Sequence, residues 1–376
     1  MKILIDFTQI PIKKVGVGIY AMSLLREISK IKCDNTYFIV VLNDDTEVLE
    51  LLNSNSEKFK ILYVNKIFRK LILRFLVEQF YLPILILKNK IDVIHSLHYS
   101  FPLIPIKVKK IVTLHDMTFF LYPEFHKKFY VIFFRTIIRA SIKGCYRIIC
   151  VSQSTKEDVI RIFNLQENIK NKLVVIPLGT NFSLNTYNKI ETNILTTYNL
   201  FAKKYLLFIG TIEPRKNIKS IIEAYSNLPE ICLDLVIVGK KGWHYDDVFE
   251  KVKELKLEHR IKFTDFVTEN EKKQLIFNSY LFIYPSFYEG FGIPLLEAMS
   301  FGIPCITSDI SSMPEVAGNA AILINPNNVE EISNAIFLLI NNNNNIYQSF
   351  VKKSLLQAEK FTWEKMASNT MKIYSE

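Results

Sequence analysis

The sequence is poor in cysteine, and none of its apolar stretches is free of polar residues over a membrane-spanning length. Its 376 residues include five cysteines, an odd number, and no two of them have the spacing of metal ligands. We therefore expect isolated buried thiols in a reducing cytosol and no structural metal. The most apolar stretch, residues 71–87, is interrupted by Arg74, Glu78, Gln79 and Pro83, so we expect no transmembrane helix.

Two further absences narrow the class of protein. Residues 1–6 reach a charged side chain too early for a signal peptide and instead predict a first β-strand. The chain has no recognisable nucleic-acid-binding motif. What is present is globular in composition, with 49% apolar and 22% charged residues, and the length favours two domains.

Positive charge is concentrated in the first half of the chain. Residues 1–180 contain 27 Lys and Arg against 15 Asp and Glu, a net charge of +12, whereas residues 181–376 contain 20 against 22, a net charge of −2. One interpretation is an anionic partner for the first half, such as a membrane surface, a phosphorylated lipid or a nucleic acid. The other is general solubility charge in a Lys-rich chain, and both stay open at this point.

Short apolar runs alternate with helical patterns along the whole chain, and twelve of these runs are typical of β-strands. They are residues 2–7, 37–42, 92–96, 110–114, 147–151, 173–176, 205–210, 233–238, 261–263, 281–284, 304–307 and 321–324. Alternation of buried strands and helices predicts parallel sheets covered on both faces. Twelve strands fit two doubly wound α/β domains, with a boundary in the Asn- and Thr-rich residues 182–199.

Two glutamates eight residues apart, Glu289 and Glu297, surround a Gly-X-Gly-X-Pro turn. The turn follows the apolar run that ends at Tyr284, and Pro294 fits the first turn of a helix over residues 293–301. Gly290 and Gly292 allow backbone amides to approach a ligand at the helix N-terminus. Carboxylates accept hydrogen bonds from hydroxyl groups and amides hold phosphate, so the segment predicts a nucleotide-sugar site.

Adjacent cations, Arg215 and Lys216, follow the first strand of the second half, at a junction where a diphosphate would need neutralising. The alternative is a solvated charge pair. Asn217 is expected to cap the helix that follows. Residues 309–315 could line the same cleft, with Glu315 stabilising a helix start.

Two features of the first half carry weaker signals. Gly16 and Gly18 form a glycine loop before a helix, a place for phosphate or sugar to approach, although a tight turn that needs small residues explains them equally well. His115 follows a strand and could hydrogen-bond a sugar hydroxyl or move a proton. Alternatively, His115 is held structurally by neighbouring backbone.

Residues 65–82 carry Lys66, Arg69, Lys70, Arg74 and Glu78 at about four-residue spacing among apolar side chains. This pattern predicts a broadly apolar helix with a narrow basic stripe. One interpretation is a helix that lies in a membrane interface. The other is a core helix whose long cations extend to water.

Taken together, the Glu289 to Glu297 segment, residues 210–217, the segment around His115 and residues 304–318 resemble family 4 of the retaining glycosyltransferases, over nearly the whole chain. Among its members the chain looks most similar to bacterial mannosyltransferases of surface polysaccharide and lipopolysaccharide synthesis. The resemblance implies the GT-B fold, in which two Rossmann-like domains face each other across a cleft. It implies an acceptor-side domain of residues 1–185 with a returning helix at 361–376, and a donor domain of residues 186–360.

The resemblance also implies roles for individual residues. Arg215 and Lys216 would bind the donor diphosphate, Glu297 the ribose hydroxyls, and Glu289 the donor sugar. His115 would lie beside the reacting centre, so that His115 and Glu289 are the catalytic candidates. The remaining donor-binding residues would be Gly16, Gly18, Gly290, Phe291, Gly292 and Ile293.

The implied reaction moves a hexose, for which mannose is a guess, from a nucleotide-diphosphate sugar to a saccharide or lipid-linked saccharide acceptor with retention at the anomeric carbon. The sequence contains no Asp-X-Asp, which agrees with a metal-independent enzyme that needs no cofactor. We expect a cytoplasmic protein and leave open a peripheral contact with the anionic inner face of the membrane; we expect no nucleic-acid partner. The rival hypotheses are a sugar-nucleotide epimerase of the same fold and a non-catalytic binding protein with a basic surface.

Overall fold

The computed structural model describes residues 1–184, 194–229, 233–341 and 344–376. Its internal contacts divide the chain into two units: unit 1 comprises Met1–Leu178 and Trp363–Glu376, and unit 2 comprises Gly179–Thr362. Our predicted boundary between residues 185 and 186 falls outside the described residues. The second crossing of the chain, between Thr362 and Trp363, brings the last segment back into unit 1.

Unit 1 is built on a parallel sheet of seven strands in the order β3-β2-β1-β4-β5-β6-β7. The strands are β1 Lys2–Asp6, β2 Thr36–Leu42, β3 Phe59–Val64, β4 Val93–Ser96, β5 Lys109–Leu114, β6 Arg147–Cys150 and β7 Leu173–Val175. The reversal of strand order on either side of β1 is that of a doubly wound fold, in which ligands bind beyond the carboxyl ends of the strands.

The helices of unit 1 lie mostly in the connections between the parallel strands, although residues 97–108 join β4 to β5 without one. They are α1 Val17–Lys30, α2 Thr46–Asn53, α3 Leu71–Leu76, α4 Leu82–Asn89, α5 Thr118–Leu121, α6 Lys128–Gly144, α7 Gln153–Phe163, α8 Glu167–Lys170 and, at the far end of the chain, α17 Trp363–Ser375. Helix α17 packs on α1, and the Tyr374 hydroxyl lies 2.7 Å from Nδ1 of the buried His95 on β4.

Unit 2 is built on a second parallel sheet, of six strands in the order β10-β9-β8-β11-β12-β13. The strands are β8 Tyr205–Ile209, β9 Asp234–Val238, β10 Ile261–Thr264, β11 Leu281–Tyr284, β12 Cys305–Ser308 and β13 Ala321–Ile324. The helices are α9 Ile194–Thr197, α10 Ile218–Ser226, α11 Asp246–Glu254, α12 Glu269–Asn278, α13 Ile293–Ser300, α14 Met313–Ala317, α15 Val329–Asn341 and α16 Asn344–Ala358.

All twelve predicted strands are present, with ends that differ by no more than one residue from the observed ones, and the two doubly wound sheets confirm the predicted α/β fold. The sequence analysis missed β3. This strand lies at the edge of its sheet, where Lys60 and Tyr63 are exposed. Only Phe59 and Val64 of this strand are buried, and Lys60 interrupts its apolar pattern.

The prediction of one helix with a basic stripe over residues 65–82 is wrong. The segment forms a short 3₁₀ helix, Lys66–Arg69, followed by α3, one π-helical turn, Val77–Tyr81, and α4. Arg74 and Glu78 point into unit 1 and are buried, whereas Lys66 and Lys70 are exposed, so the cations do not share one face.

The described cysteines are free thiols. Cys145, Cys150 and Cys305 are buried as expected, Cys33 is only partly buried, and Cys232 lies outside the described residues. Among the residues that the structure describes, no helix combines the length and the apolar content needed to span a bilayer.

Candidate functional site

The candidate site of unit 2 is formed where β8 and β11 end. These two strands are neighbours in the parallel sheet, so the loops at their carboxyl ends meet at one edge. The loop after β8 contains a short 3₁₀ turn, Pro214–Lys216, and the loop after β11 leads to α13. The backbone N–H of Phe287 donates to the carbonyl of Arg215 at 2.9 Å and joins the two loops.

Two cations and two carboxylates lie together at this edge. The Arg215 guanidinium contacts Glu213 through Nη2 at 2.7 Å and Glu289 through Nη1 at 2.9 Å. The same Nη1 donates to the carbonyl oxygen of Tyr288 at 2.5 Å. Arg215 is therefore held in one orientation by the loops after both strands.

Lys216 completes the cluster at the other carboxylate oxygen of Glu289. Its ammonium donates to Glu289 Oε1 at 2.5 Å and to the Tyr284 hydroxyl at 2.6 Å, and it lies 5.0 Å from the centre of the Tyr284 ring. Glu213, Lys216 and Glu289 are each less than a tenth exposed. The arrangement is a preorganised, charge-balanced group in a poorly solvated environment, where each ionic contact is stronger than in water.

The electrostatic balance keeps Glu289 ionised. Burial raises the pKa of this carboxyl, but the charges of Arg215 and Lys216 more than compensate and bring it down to about 2. Burial lowers the pKa of Lys216, helped by the charge of Arg215 and opposed by Glu289 and Glu213. Burial also raises the pKa of Tyr284, so its hydroxyl remains a neutral partner of the ammonium.

The backbone of the Glu289 turn is fixed by the loop after β12. The Ser311 hydroxyl contacts both the N–H and the carbonyl of Glu289, at 3.0 and 2.7 Å, and the Ser312 hydroxyl donates to the carbonyls of Glu289 and Phe291. Gly292 precedes α13 with φ of 101°, and a Cβ there would lie 2.3 Å from Cε of Met313. The positive φ favours glycine at this position, because side chains with a Cβ rarely adopt that conformation.

Glu297 lies on α13 and has a partner of its own. Its Oε1 accepts from Nζ of Lys272, on α12, at 2.6 Å. Burial raises the pKa of Glu297 and the Lys272 charge opposes that rise. The structure therefore brings Arg215, Lys216 and Glu289 into one cluster and places Glu297 in a separate ion pair.

Asn217 does not cap α10 with its side chain, contrary to the prediction. It occupies the N-cap position, but in a left-handed conformation with φ of 57°. Its Nδ2 instead donates to the carbonyls of Pro285 and Pro326, at 3.2 and 2.7 Å. Because that amide ties the loop after β8 to two other loops, Asn217 supports the cluster and not the helix end.

The predicted site residues of unit 1 lie at the ends of β1 and β5. Gly16 is the N-cap residue of α1 with φ of 49°, a conformation that favours glycine, and Gly18 is buried in the first turn. A Cβ on Gly18 would lie 3.2 Å from Cβ of Lys14, so the tight turn accounts for part of the glycine requirement.

His115 follows β5 and is oriented by a backbone contact. Its Nε2 lies 2.8 Å from the carbonyl oxygen of Leu97, which can only accept, so Nε2 carries the proton and Nδ1 is left as an acceptor. Burial lowers the pKa of His115, with the Leu97 bond and Asp116 opposing the effect. A neutral imidazole of fixed tautomer suits acceptance of a hydroxyl hydrogen bond.

Several contributing residues were not assigned a role from the sequence. Glu213 and Tyr284 contact the two cations, Arg215 and Lys216 respectively. Lys272 pairs with Glu297, and the hydroxyls of Ser311 and Ser312 donate to the backbone of the Glu289 turn. Glu213 had a local signal, since it stands two residues before Arg215, and Ser311 and Ser312 lie in the segment 309–315 that was expected to line the cleft. The others come from separate strands and loops, and their approach is set by the sheet order. Gly290, Phe291 and Ile293 lie between the two glutamates as expected, and their roles toward a donor stay predictions.

Comparison with known proteins gives the class of this site. The group 1 glycosyl transferase family model matches residues 199–355, and the glycosyltransferase family 4 model matches residues 15–184. The crystal structure of Anabaena HepE in complex with UDP and glucose superimposes with a TM-score of 0.74 at 16% identity, covering 100% of this chain and 99% of that one. The architecture is that of the GT-B glycosyltransferases.

Sequence relatives extend the match. O-antigen chain mannosyltransferase B of Escherichia coli is 32% identical over 270 residues, covering 71% of this chain and 70% of the relative. O-antigen chain mannosyltransferase RfbU of Salmonella typhimurium is 31% identical over 240 residues, 64% of this chain and 62% of the relative. The chain belongs to glycosyltransferase family 4.

Proposed function

We propose that this glycosyltransferase moves a hexose, mannose, from a nucleotide-diphosphate sugar to a saccharide or lipid-linked saccharide in cell-surface polysaccharide synthesis. The observation that carries the proposal is the cluster of Arg215, Lys216 and Glu289 at one strand edge of a family 4 chain. The choice of mannose is supported by the two O-antigen mannosyltransferases to which the chain is similar.

In this proposal the cations act on the leaving group. Breaking the bond between the sugar and the diphosphate places negative charge on a phosphate oxygen, and Arg215 and Lys216 would stabilise that charge. Because both cations already lie in fixed positions, little reorganisation is needed when the charge develops. The donor phosphate would compete with Glu289 for these donors, which frees the carboxylate to accept hydrogen bonds from the sugar.

Transfer with retention requires the acceptor hydroxyl to enter on the face from which the diphosphate departs. The departing phosphate oxygen would help to take the acceptor proton. His115, neutral and with Nδ1 as an acceptor, would hydrogen-bond a sugar hydroxyl beside the reacting carbon. Glu297 would hold the ribose hydroxyls. No metal or organic cofactor is needed in this scheme.

We place the reaction in the cytoplasm, with the enzyme resting on the inner face of the membrane. The support is the net charge of +12 over residues 1–180, together with the lipid-linked acceptors expected in polysaccharide synthesis. The epimerase and binding-protein hypotheses have no support from the comparisons.

A thermal-shift screen tests the donor site first. The purified protein is heated with GDP, UDP, dTDP and ADP and with their common sugar conjugates, since a ligand that binds the folded state raises the melting temperature. We expect a shift with one base only, guanine, and transfer of labelled mannose from GDP-mannose to a saccharide acceptor. No shift with any nucleotide would contradict the diphosphate site, and sugar release without an acceptor would favour the epimerase.

A further inference from the structure

An apolar surface of unit 1 faces solvent along α3, the π-helical turn and α4. Its residues recur at intervals of three or four and so lie on one side of the helical segment. They are Ile72, Leu76, Phe80, Ile84 and Leu87, all between 44% and 67% exposed. A helix of a globular domain normally turns such a stripe toward the core, and here it is turned outward.

The opposite side of the same segment carries polar side chains that anchor it. Glu78 is fully buried, and its Oε1 accepts from Nε2 of Gln9 at 3.1 Å and from the Ser100 hydroxyl at 2.9 Å. Arg74 Nε lies 3.3 Å from the same oxygen. These contacts fix the rotation of the helix, because turning the apolar stripe inward would break a buried polar network.

A second polar anchor lies next to the first. Gln79 donates through Nε2 to the carbonyl of Phe101 at 3.1 Å and accepts through Oε1 from the N–H of Leu103 at 2.7 Å. With both hydrogen-bonding ends of the amide used, this residue also has one favourable orientation. The outward apolar stripe is therefore specified by the fold.

Helix α6 extends the apolar surface. Phe129 and Ile132 are 56% and 69% exposed, and the ring of Phe133 meets that of Phe75 edge-on at 5.5 Å, which places α6 beside α3. The outer apolar face is our name for the exposed apolar residues of α3, the π-helical turn, α4 and α6, which are Ile72, Leu76, Phe80, Ile84, Leu87, Phe129 and Ile132.

The exposed charges carried by the two segments that form this face have one sign, and Asp44 adds a carboxylate beside Arg69. Residues 65–91 and 127–139 contain ten Lys and Arg, and their single carboxylate, Glu78, is buried. The exposed cations are Lys66, Lys70, Lys88, Lys90, Lys127, Lys128 and Arg139. A second copy of this chain would bring like charges together around the same patch, so self-association is disfavoured.

We propose that the outer apolar face docks onto an anionic lipid bilayer, with its large side chains among the acyl chains and its lysines at the headgroups. Apolar residues ringed by cations, on a helix that does not span, match an interfacial contact. The proposal rests on the proposed function for its setting, since it gives the residues by which an enzyme with lipid-linked acceptors would reach them.

Vesicle flotation of the full chain tests the proposal. At low salt we expect the protein to float with phosphatidylcholine vesicles containing phosphatidylglycerol and to stay behind with phosphatidylcholine alone. Phe80→Ser should weaken the partitioning by about tenfold, because one large apolar side chain is lost from the interface. The matched control is Phe201→Ser, which removes a phenylalanine that is 76% exposed in unit 2 and should partition like the wild type.

A charge reversal separates the electrostatic contribution. Lys70→Glu should also weaken binding by about tenfold, because a reversal changes two charges near the surface. Lys352→Glu, an exposed lysine of α16, is the control. High salt should reduce wild-type binding to the level of Lys70→Glu, since the exposed charges are then screened.

Two results would overturn the docking proposal. One is flotation of Phe80→Ser equal to that of the wild type. The other is a wild-type dimer that Phe80→Ser dissociates, with no flotation of either protein, which would make a second copy the occupant. Nucleotide thermal shifts and transfer to a water-soluble acceptor, measured on the same variants, stay normal if only the docking fails; they are lost, with flotation intact, if only the proposed function fails.

Discussion

The first strand of each sheet ends in a buried charged cluster, and the two clusters differ in charge. After β8, Glu213 and Glu289 are matched by Arg215 and Lys216. At the end of β1, the carboxylates of Asp6 and Glu78 share Arg74 as their cation, with Gln9 donating to both of them.

The difference appears in the protonation of the two glutamates. The cations hold the pKa of Glu289 at about 2, whereas burial raises the pKa of Glu78 to about 7, with Arg74 opposing and Asp6 adding to the rise. Equivalent edges of two similar sheets thus offer different chemistry. In the proposed function the unit 2 edge would exchange a carboxylate for a phosphate without leaving a cation unpaired, while at the unit 1 edge the single cation Arg74 is shared by two carboxyl groups.

The largest expected effect is that of Arg215→Ala. The change leaves two buried carboxylates with Lys216 alone and removes a donor to the departing diphosphate, so turnover should fall by about 10³-fold and the nucleotide thermal shift should disappear. Arg215→Lys keeps the positive charge but loses the planar, bidentate donor geometry of the guanidinium, so its turnover should lie between those of the wild type and Arg215→Ala. The control is Lys251→Ala, which breaks two ion pairs of the same unit, with Glu223 and Glu254. Near-normal activity of Arg215→Ala would remove the phosphate assignment.

Glu289→Gln should separate sugar from phosphate contacts. Turnover should drop by about 10²-fold, because the carboxylate that would hold the donor sugar is neutralised. Binding of the free nucleoside diphosphate should be unchanged or tighter, since the cations lose their competitor. Kinetic constants together with nucleotide titrations measure the two effects, and a small change in turnover would move the donor sugar to another residue.

Glu78→Gln should alter the pH dependence of stability in unit 1. The pKa of Glu78 is about 7 in the folded state, above its ordinary value of 4.5. Between these two values the folded chain keeps a proton that the unfolded chain releases, so the wild type loses stability as the pH rises from 4.5 to about 7. The variant should lose less, by a few degrees of melting temperature between pH 5 and 8. Trp363 is buried in unit 1, and a Trp243→Phe background leaves it as the sole tryptophan reporter. If the melting temperatures of the wild type and Glu78→Gln changed in parallel between pH 5 and 8, the Glu78 carboxyl would not titrate in that range.

The ionisation of Glu289 changes stability in the opposite direction to that of Glu78, and over a lower range of pH. Because its folded pKa lies below the ordinary value, its contribution to stability is present above about pH 4.5 and is lost as the pH falls toward 2. The Glu289→Gln variant has no carboxyl to titrate at this position. Its stability should therefore fall less steeply with decreasing pH than that of the wild type, although the variant has lost an ion pair. Acid titration followed by circular dichroism checks this, and identical acid midpoints would exclude the effect.

The sequence was sufficient for features that depend on local pattern. Central strands are short apolar runs closed by turn residues, so their ends were placed within one residue, and the spacing of Glu289, Pro294 and Glu297 located the start of α13. Strand β3 was missed because only two of its six side chains are buried.

The sequence could not show which way a helix face points or which distant residues a side chain contacts. The spacing of Arg74 and Glu78 shows that they share a helix face, but not that the face points inward, because the buried partners Gln9 and Ser100 come from distant loops. In the same way Asn217 stands where a capping residue would stand, and only the approach of Pro285 and Pro326 shows what its amide does.

The return of α17 to unit 1 sets an order for folding during synthesis. Unit 2 is one continuous segment, so all of its strands have been synthesised before Trp363 is added. Unit 1 must wait for its last helix, whose Tyr374 meets His95 in the interior. The unit that holds the first strands is thus the last to be completed, and a nascent chain stalled before residue 363 would leave exposed the face of α1 that α17 covers.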